Sequence, residues 1–245
     1  MCGRYASTRS STDLATLFDA LDTTDEALVP DYNLAPTDPA PIVRVSASAG
    51  SRVLTVARWG LVPAWSADAR GGARMINARA ETVATSRAFA SSFERRRCLV
   101  PADGWYEWAR EVSVNGRSAS SRGARKQPYF MTRRDEEPLV FGGIWSTWGT
   151  QSAQLLTFSV ITLPAAGELT RVHDRMPLVL APDLWSAWLT DGEPLGLLRP
   201  PAEDYAAGIE LRKVSNAVSD VRNDGPDLIA AITESADQSI METLF

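Results

Sequence analysis

Short runs of β-branched and aromatic residues, each ended by glycine, proline or a polar turn, recur through most of the 245-residue chain. Runs of this kind are typical of short strands. Strands are predicted at Val53–Trp59, Cys98–Val100, Trp105–Trp108, Tyr129–Thr132, Leu139–Trp145, Leu155–Thr162 and Pro177–Leu180. Because many short strands alternate with few helices, the pattern predicts one α+β domain with a mixed, barrel-like β core and peripheral helices.

Helical spacing of apolar residues is confined to a few segments. Helices are predicted over Ser11–Leu21, over Glu81–Arg97 and from Pro182 to Leu189. Pro30–Pro41, with four prolines, and the Ser/Gly/Arg-rich residues 111–128 are predicted loops. We expect the domain to span residues 2–229, followed by a tail or terminal helix over residues 230–245.

Several protein classes are disfavoured by what the chain lacks. No apolar run of about 18 residues indicates a membrane span, and the first residues do not resemble a secretory signal. Two cysteines, Cys2 and Cys98, and a single histidine indicate neither a disulfide framework nor a Cys/His zinc cluster. The sequence therefore predicts a cytoplasmic monomer without metal or cofactor, associated with the nucleoid if the source is bacterial.

Charge is distributed unevenly along the chain, although the net charge is only −5. Residues 44–134 contain 17 basic and 6 acidic side chains, while the remainder contains 8 basic and 24 acidic ones. Because a polyanion responds to local potential, the basic middle can bind phosphates on an acidic protein. Solvated, scattered arginines would give the same composition.

Cys2 directly follows the initiator methionine. If Met1 is removed, one residue carries both an α-amine, with a pKa of about 7.7–8.0, and a thiol, with a pKa of about 8.5. Such an aminothiol can form an imine with an aldehyde and then close through sulfur to a thiazolidine. A thiolate could instead attack a carbonyl, as in N-terminal nucleophile hydrolases, and a cysteine in a frayed terminus would do neither.

Three segments place polar residues among aromatics and turns. They contain Asn77 and Arg79, then Glu107 between two aromatic residues, and then the only histidine, His173. Burial between aromatic rings would raise the pKa of Glu107 and suit it to general-acid work, whereas a structural ion pair is the alternative. Trp65, after a strand and a turn, could be exposed and stack on an unpaired base.

Nine motifs in series connect these segments. They are Met1–Tyr5, Tyr32–Thr37, Trp59–Trp65, Asn77–Thr82, Arg97–Trp108, Phe141–Trp145, Thr157–Thr162, His173–Pro177 and the pair of Val214-Ser215 with Asn223-Asp224. In this order they resemble the SRAP family, named for "SOS response-associated peptidase", over about residues 2–229. The resemblance implies a single α+β domain around a barrel-like core with a positively charged DNA channel.

The resemblance also implies a function. Members recognise abasic sites in single-stranded DNA and crosslink to them covalently, which for this chain implies a thiazolidine at Cys2 formed by lyase-like imine chemistry. The residues carried over are Cys2, Asn77, Glu107 and His173 for catalysis, and Arg4, Arg79 and Arg175 for flanking phosphates, with Trp65 as the stacking residue.

Two other functions fit the same residues. The first is a cysteine peptidase or amidohydrolase of the N-terminal-nucleophile type, in which the same groups could remove Met1. The second is a non-covalent module that binds single-stranded DNA through arginines and Trp65.

The last eight residues, Gln238–Phe245, lie outside the matching motifs. Glutamine at the start and Leu-Phe at the end resemble short peptides that dock on DNA sliding clamps. A terminal helix that packs its apolar residues on the domain is the alternative.

Overall fold

The computed structural model describes residues 2–25, 28–47, 49–110, 126–150, 152–190 and 192–232. Residues 111–125 of the predicted polar loop and 233–245 of the tail, including the clamp-like peptide, lie outside the described residues. Within the described ranges, no helix combines the length and apolar character needed to cross a membrane.

Most of the described chain is β-structure. The strands are β1 (Tyr5–Ser7), β2 (Leu21–Asp22), β3 (Asp31–Leu34), β4 (Pro39–Val45), β5 (Arg52–Trp59), β6 (Asn77–Arg79), β7 (Arg97–Ala102), β8 (Gly104–Arg110), β9 (Lys126–Arg133), β10 (Leu139–Thr150), β11 (Ala153–Pro164), β12 (Arg175–Pro177) and β13 (Ile209–Lys213). The α-helices are α1 (Ser11–Phe18), α2 (Ala90–Arg95), α3 (Trp185–Leu189) and α4 (Glu203–Ala207). Short 3₁₀ helices cover Ala69–Arg74, Gly167–Arg171, Pro182–Leu184, Pro194–Leu197, Asn216–Ser219 and Pro226–Leu228.

Strands β4, β5, β7, β10 and β11 close into a barrel. Strand β10 pairs antiparallel with β7 and β11, and β4 pairs antiparallel with β5 and β7. The ring closes where Thr157 and Phe158 of β11 pair in parallel with Arg58 and Trp59 of β5. Closure removes the unpaired edges that an open sheet would expose. The predicted α+β fold with a mixed, barrel-like core is confirmed.

A second sheet packs on this barrel with strand order β13-β9-β8-β1-β3. Tyr5 of β1 contacts the barrel residues Trp59 and Phe141, with ring centroids 5.0 and 6.1 Å away. Trp105 of β8 also lies edge-on to Phe141 at 5.9 Å. These buried aromatic contacts fix the second sheet, which carries Glu107, against the barrel.

The end of β11 organises two further short strands. Asn77 of β6 pairs in parallel with Val160, and Met176 of β12 pairs antiparallel with Leu163. The two segments with predicted polar functional residues, 77–79 and 173–177, are therefore brought together by one strand, although they are far apart in sequence.

The first predicted helix is confirmed. The Ser10 side chain accepts the Asp13 N–H at 3.1 Å, which caps the helix, and Leu14 and Phe18 are buried four residues apart. Asp19 ends it with a left-handed φ of 48°. Leu21 therefore belongs to β2 rather than to the helix.

Two other predictions were wrong. The helix expected over Glu81–Arg97 is α-helical only in α2, and turns precede it. Serines and threonines are frequent there, and Thr85 donates to the Thr82 carbonyl, a contact that competes with helix formation. The loop expected over Pro30–Pro41 contains β3 and the start of β4. Strand β4 pairs with β7 only at Val43. Its prolines are tolerated because the edge of β4 that faces β7 forms no hydrogen-bonded ladder at their positions.

Candidate active site

Cys2 is completely buried at the start of β1. Asn77 Nδ2 donates to the Cys2 carbonyl oxygen at 2.6 Å, and pairing of β6 with β11 holds Asn77 in place. The Asn77 Oδ1 atom is also buried and has no hydrogen-bond partner among the described residues. This amide therefore positions the backbone of Cys2 and keeps one acceptor available inside the site.

Glu107 lies on β8 with only 4% of its surface exposed. Burial raises the pKa of this carboxyl, and the nearby His173 partly offsets the shift. Burial, and then the charge of Glu107, also raise the pKa of the Cys2 thiol above its usual value. The carboxyl can therefore hold a proton at higher pH than an exposed glutamate, and the thiol stays neutral.

His173 completes the cluster. Its Nε2 atom lies 3.9 Å from Glu107 Oε2, while its Nδ1 accepts the backbone N–H of Arg175 at 2.9 Å. Nδ1 also lies 2.8 Å from a carboxylate oxygen of Asp174, which would require the proton on Nδ1. We favour the acceptor role because a backbone N–H can only donate, and Asp174 is a mostly exposed residue. The Nε2–H then faces Glu107.

Exposure increases from Cys2 to Glu107 to His173, whose side chains are 0%, 5% and 29% exposed. The site therefore opens on the His173 side. Cavities of about 660 and 470 Å³ lie elsewhere, beside Leu169 and Asp31, and neither is lined by Cys2 or Glu107. A narrow cluster of a thiol, an amide, a carboxyl and an imidazole suits covalent chemistry on a small group better than binding of a bulky ligand.

The four predicted catalytic residues thus lie in one cluster, and two of the predicted phosphate ligands flank it. Arg79 is exposed at the end of β6. Arg175 at the start of β12 donates both to the Glu81 carboxylate and, at 2.6 Å, to the Thr162 carbonyl oxygen. The guanidinium of Arg175 lowers the pKa of Glu81, so Arg175 already has a carboxylate partner.

The other two predicted DNA ligands lie in different settings. Arg4 is 9% exposed and donates to Asn33 Oδ1 at 2.6 Å and to the Val218 carbonyl at 3.1 Å. Trp65 is 58% exposed, and the Arg87 guanidinium lies 4.6 Å from its ring centroid. Arg4 therefore joins segments of the fold, whereas Trp65 presents an open aromatic surface.

Sequence reasoning missed the partners of these arginines. Asn33 and Glu81 both belong to motifs used for the resemblance, but nothing in a motif tells which side chains pair across the fold. The contact between Arg87 and Trp65 could not be predicted from hydrophobic patterns, because it depends on the turns that precede α2. Within the described part of the chain, no three His, Cys, Asp or Glu residues are grouped to hold a metal ion.

A family model and two bacterial proteins match this chain over most of its length. The family model described as "SOS response associated peptidase (SRAP)" matches residues 1–221. Abasic site processing protein YedK of Escherichia coli (strain K12) is 31% identical over 246 residues, covering 95% of this chain and 100% of that protein. Abasic site processing protein YoaM of Bacillus subtilis (strain 168) is 32% identical, covering 94% and 98%.

A more distant relative and a solved structure extend the comparison. Abasic site processing protein HMCES of Gallus gallus is 28% identical, covering 87% of this chain and 70% of that protein. A crystal structure of a protein from Bacteroides thetaiotaomicron superposes with a TM-score of 0.79 at 22% identity, covering 95% of this chain and all of that one. The structural likeness supports the fold.

Proposed function

Because this chain belongs to the SRAP family, we propose that it processes abasic sites in single-stranded DNA by forming a thiazolidine link to Cys2. The convergence of Cys2, Asn77, Glu107 and His173 in one buried cluster carries this proposal. Relatives that are named abasic site processing proteins supply the substrate class. The reaction requires a free α-amine, so Met1 must first be removed.

The first step exposes an aldehyde. An abasic sugar is mostly a cyclic hemiacetal, and its ring opens when O4′ gains a proton and the C1′ hydroxyl loses one. Protonated Glu107 supplies the proton to O4′, and the C1′ hydroxyl loses its proton to solvent. The Nε2–H of His173 assists by facing the Glu107 carboxylate that this transfer leaves. The raised pKa of Glu107 favours this role, since an ordinary glutamate would already be ionised at neutral pH.

The amine and the thiol of Cys2 then act in sequence. The amine attacks C1′ and releases water to give an imine. The thiol adds to the imine carbon, its proton passes to the imine nitrogen, and the ring closes without oxidation or reduction. Because burial keeps the thiol neutral, it does not compete with the amine for the first attack. Asn77 limits the rotation of Cys2 by holding its carbonyl.

Ring closure distinguishes this function from strand cleavage. A bare imine draws electrons from the neighbouring carbon and promotes β-elimination, but a thiazolidine has no such electron sink. We therefore expect a stable adduct that shields the lesion. The raised thiol pKa counts against a hydrolase that needs a thiolate, although removal of Met1 by the same cluster stays a proposal.

The surfaces around the cluster suggest how a strand would be held. Arg79 and Arg175 lie on the two short strands that flank the end of β11. Arg4, two residues after Cys2, is buried and bonded to Asn33 and Val218, so it would support this surface from beneath. Trp65 offers a stacking face. A monomer suffices for this arrangement, and docking of Gln238–Phe245 on a sliding clamp stays a separate proposal.

Intact-protein mass spectrometry tests the chemistry directly. Protein without Met1, incubated with a short abasic single strand, should gain the mass of one strand minus one water, and the adduct should map to Cys2. Cys98→Ser is a matched control because Cys98 is the other completely buried cysteine. Cys2→Ser should abolish the heat-stable adduct, whereas Cys98→Ser should keep it.

The opposing results are equally clear. An adduct that survives in Cys2→Ser would move the chemistry to another nucleophile. Cysteine-dependent peptide cleavage by a protein that forms no DNA adduct would favour the hydrolase, and equal DNA binding without any adduct would favour the non-covalent module.

A further inference from the structure

The guanidinium groups of two arginines lie against the ring of Trp145 on β10. The Cζ atoms of Arg44 and Arg96 lie 5.0 and 5.8 Å from the centroid of its ring. Arg44 comes from β4, and Arg96 follows α2, where its carbonyl accepts the Trp145 N–H at 2.8 Å. Three separate elements thus bring two permanent positive charges onto one half-buried indole ring.

These two guanidinium groups differ from their neighbours in lacking polar partners. Within the described residues, neither donates a hydrogen bond nor pairs with a carboxylate, and Arg44 Nε is buried without a partner. The adjacent Arg97, by contrast, donates to the carbonyls of Phe93, Glu94 and Trp188. A bound anion would reduce the repulsion between the two positive charges and would accept hydrogen bonds from their N–H donors.

The pair is separate from the Cys2 cluster. Phe141 touches Tyr5 and Trp105 of the sheet that carries the cluster. Trp145 lies four residues farther along the same strand, a distance of roughly 13 Å. The arginines also cover the indole, so base stacking of the kind that Trp65 allows is not the mode of binding that Trp145 favours.

We propose that Arg44 and Arg96 form a phosphate-binding site on Trp145 that holds a backbone phosphate of DNA at a distance from the Cys2 cluster. The guanidinium fork matches phosphate oxygens in a bidentate way, and contact with the ring limits its rotation. The choice of DNA as the source of the phosphate rests on the proposed function. No bond is made or broken at this site.

The test measures binding of a labelled single strand with intact bases by fluorescence anisotropy at several salt concentrations. The full chain is compared with the double variant Arg44→Gln/Arg96→Gln. A plot of log affinity against log salt has a negative slope, and this slope should become less steep by about 0.7 for each phosphate contact that is lost. If two contacts are lost, the gain in affinity on lowering the salt from 1 M to 0.1 M should be smaller by a factor of about 25 in the variant than in the wild type.

A control double variant separates local contacts from net charge. Arg134→Gln/Arg222→Gln makes the same change in net charge at exposed residues that pair with Glu210 and Asp220. Its slope should stay close to that of the wild type. If both double variants change the slope equally, only total charge matters and the site does not exist.

Lysine substitutions guard against loss of folding. If circular dichroism shows that the glutamine pair does not fold, Arg44→Lys/Arg96→Lys keeps the charges but removes the fork. Affinity below that of the wild type at 0.1 M salt supports the site, and wild-type affinity overturns it.

Inorganic phosphate distinguishes the source of the anion. A phosphate-dependent rise in the melting temperature, measured against chloride at equal ionic strength, should be lost in Arg44→Gln/Arg96→Gln. If that rise is lost while the DNA slope is unchanged, the site binds free phosphate and the DNA assignment is wrong. Failure of the wild type to form an adduct would instead contradict the proposed function. The salt slopes, which are measured with intact DNA, would still test the Arg44–Arg96 site.

Discussion

The Cys2 cluster and the Arg44–Arg96 pair on Trp145 both place polar groups in poorly solvated surroundings, but with opposite consequences. In the cluster, burial shifts the proton equilibria of a carboxyl and a thiol. In the pair, two guanidinium groups remain charged, lie against an aromatic ring and have no hydrogen-bond partner among the described residues. Burial therefore changes the protonation of the first region, whereas the second keeps its charge and can gain stability from an anionic ligand.

This difference indicates a division of labour. Groups whose protonation can be tuned lie where the proposed covalent reaction needs an acid and neutral nucleophiles. Cations that cannot be tuned lie beside Trp145, four residues along β10 from Phe141, where they can add affinity without entering the reaction. Substitutions in the two regions should therefore affect different measurements.

The largest expected effect is that of Glu107→Gln. Removal of a general acid typically slows a reaction by about 10²- to 10⁴-fold, so the rate of adduct formation with abasic DNA should fall into that range. The affinity for an intact single strand should not change, because the side chain is buried and keeps its shape. Quenched-flow or gel time courses at saturating DNA measure the rate. A normal rate in this variant would remove Glu107 from the mechanism.

A second prediction concerns pH. Only protonated Glu107 can donate, so the adduct rate should decline by up to tenfold per unit as pH rises above its raised pKa. The amine has the opposite requirement, with an ordinary pKa of about 7.7–8.0, and a bell-shaped profile results. Glu107→Gln should lose the alkaline decline and show only a rise to a plateau. Persistence of the decline in that variant would assign it to another group.

Trp65 and Trp145 offer a sharper comparison of binding. Trp65 is mostly exposed with one arginine beside it, whereas Trp145 is half-buried beneath two. A stacked base contributes about 1–3 kcal/mol, so Trp65→Ala should weaken binding of an intact single strand by roughly 5- to 150-fold with little change in salt slope. Anisotropy titrations measure both quantities. A changed slope with unchanged affinity would indicate that Trp65 acts through Arg87.

The sequence was sufficient for the fold class because alternation and turn residues act locally. The strands later found as β5, β7, β8, β10 and β11 were each predicted within a few residues. Local signals failed where the partner strand decides the outcome, as for the prolines of β4, which are tolerated because β7 pairs with β4 only at Val43. Closure through β5 and β11 depends on long-range pairing that periodicity does not encode.

For the site, the motifs identified residue types but not their partners. Cys2, Asn77, Glu107 and His173 were expected together from the resemblance, and the structure places them in one cluster. The engagement of Arg175 with Glu81 and the stacking of Arg44 on Trp145 could not be predicted, because each contact joins segments far apart in the chain. Counting arginines shows a basic region, but only the fold shows which cations lack a counter-charge.

The smallest expected effect is on stability, and it returns to the contrast between tunable and permanent charges. The folded-state pKa of Glu107 is raised, so the folded protein binds more protons than the unfolded chain in the window between the two pKa values. Stability that is fully present below the unfolded pKa, about 4.3, is lost as pH rises through the folded pKa. Glu107→Gln cannot ionise and should melt above the wild type at pH 8, but not at pH 4. A gain of about 1 kcal/mol corresponds to roughly 2–4 °C in a chain of this size.

Calorimetry at both pH values measures this difference, with Glu203→Gln as a control at an exposed position on α4. Arg44→Gln/Arg96→Gln should also raise the melting temperature in phosphate-free buffer, but equally at both pH values, because arginine does not titrate in this range. Both regions would then reduce the stability of the free protein. The Cys2 cluster would do so because buried Glu107 loses its proton at high pH, and the arginine pair because no anion separates its positive charges. A pH-independent gain for Glu107→Gln would show instead that its carboxyl is destabilising through packing rather than through ionisation.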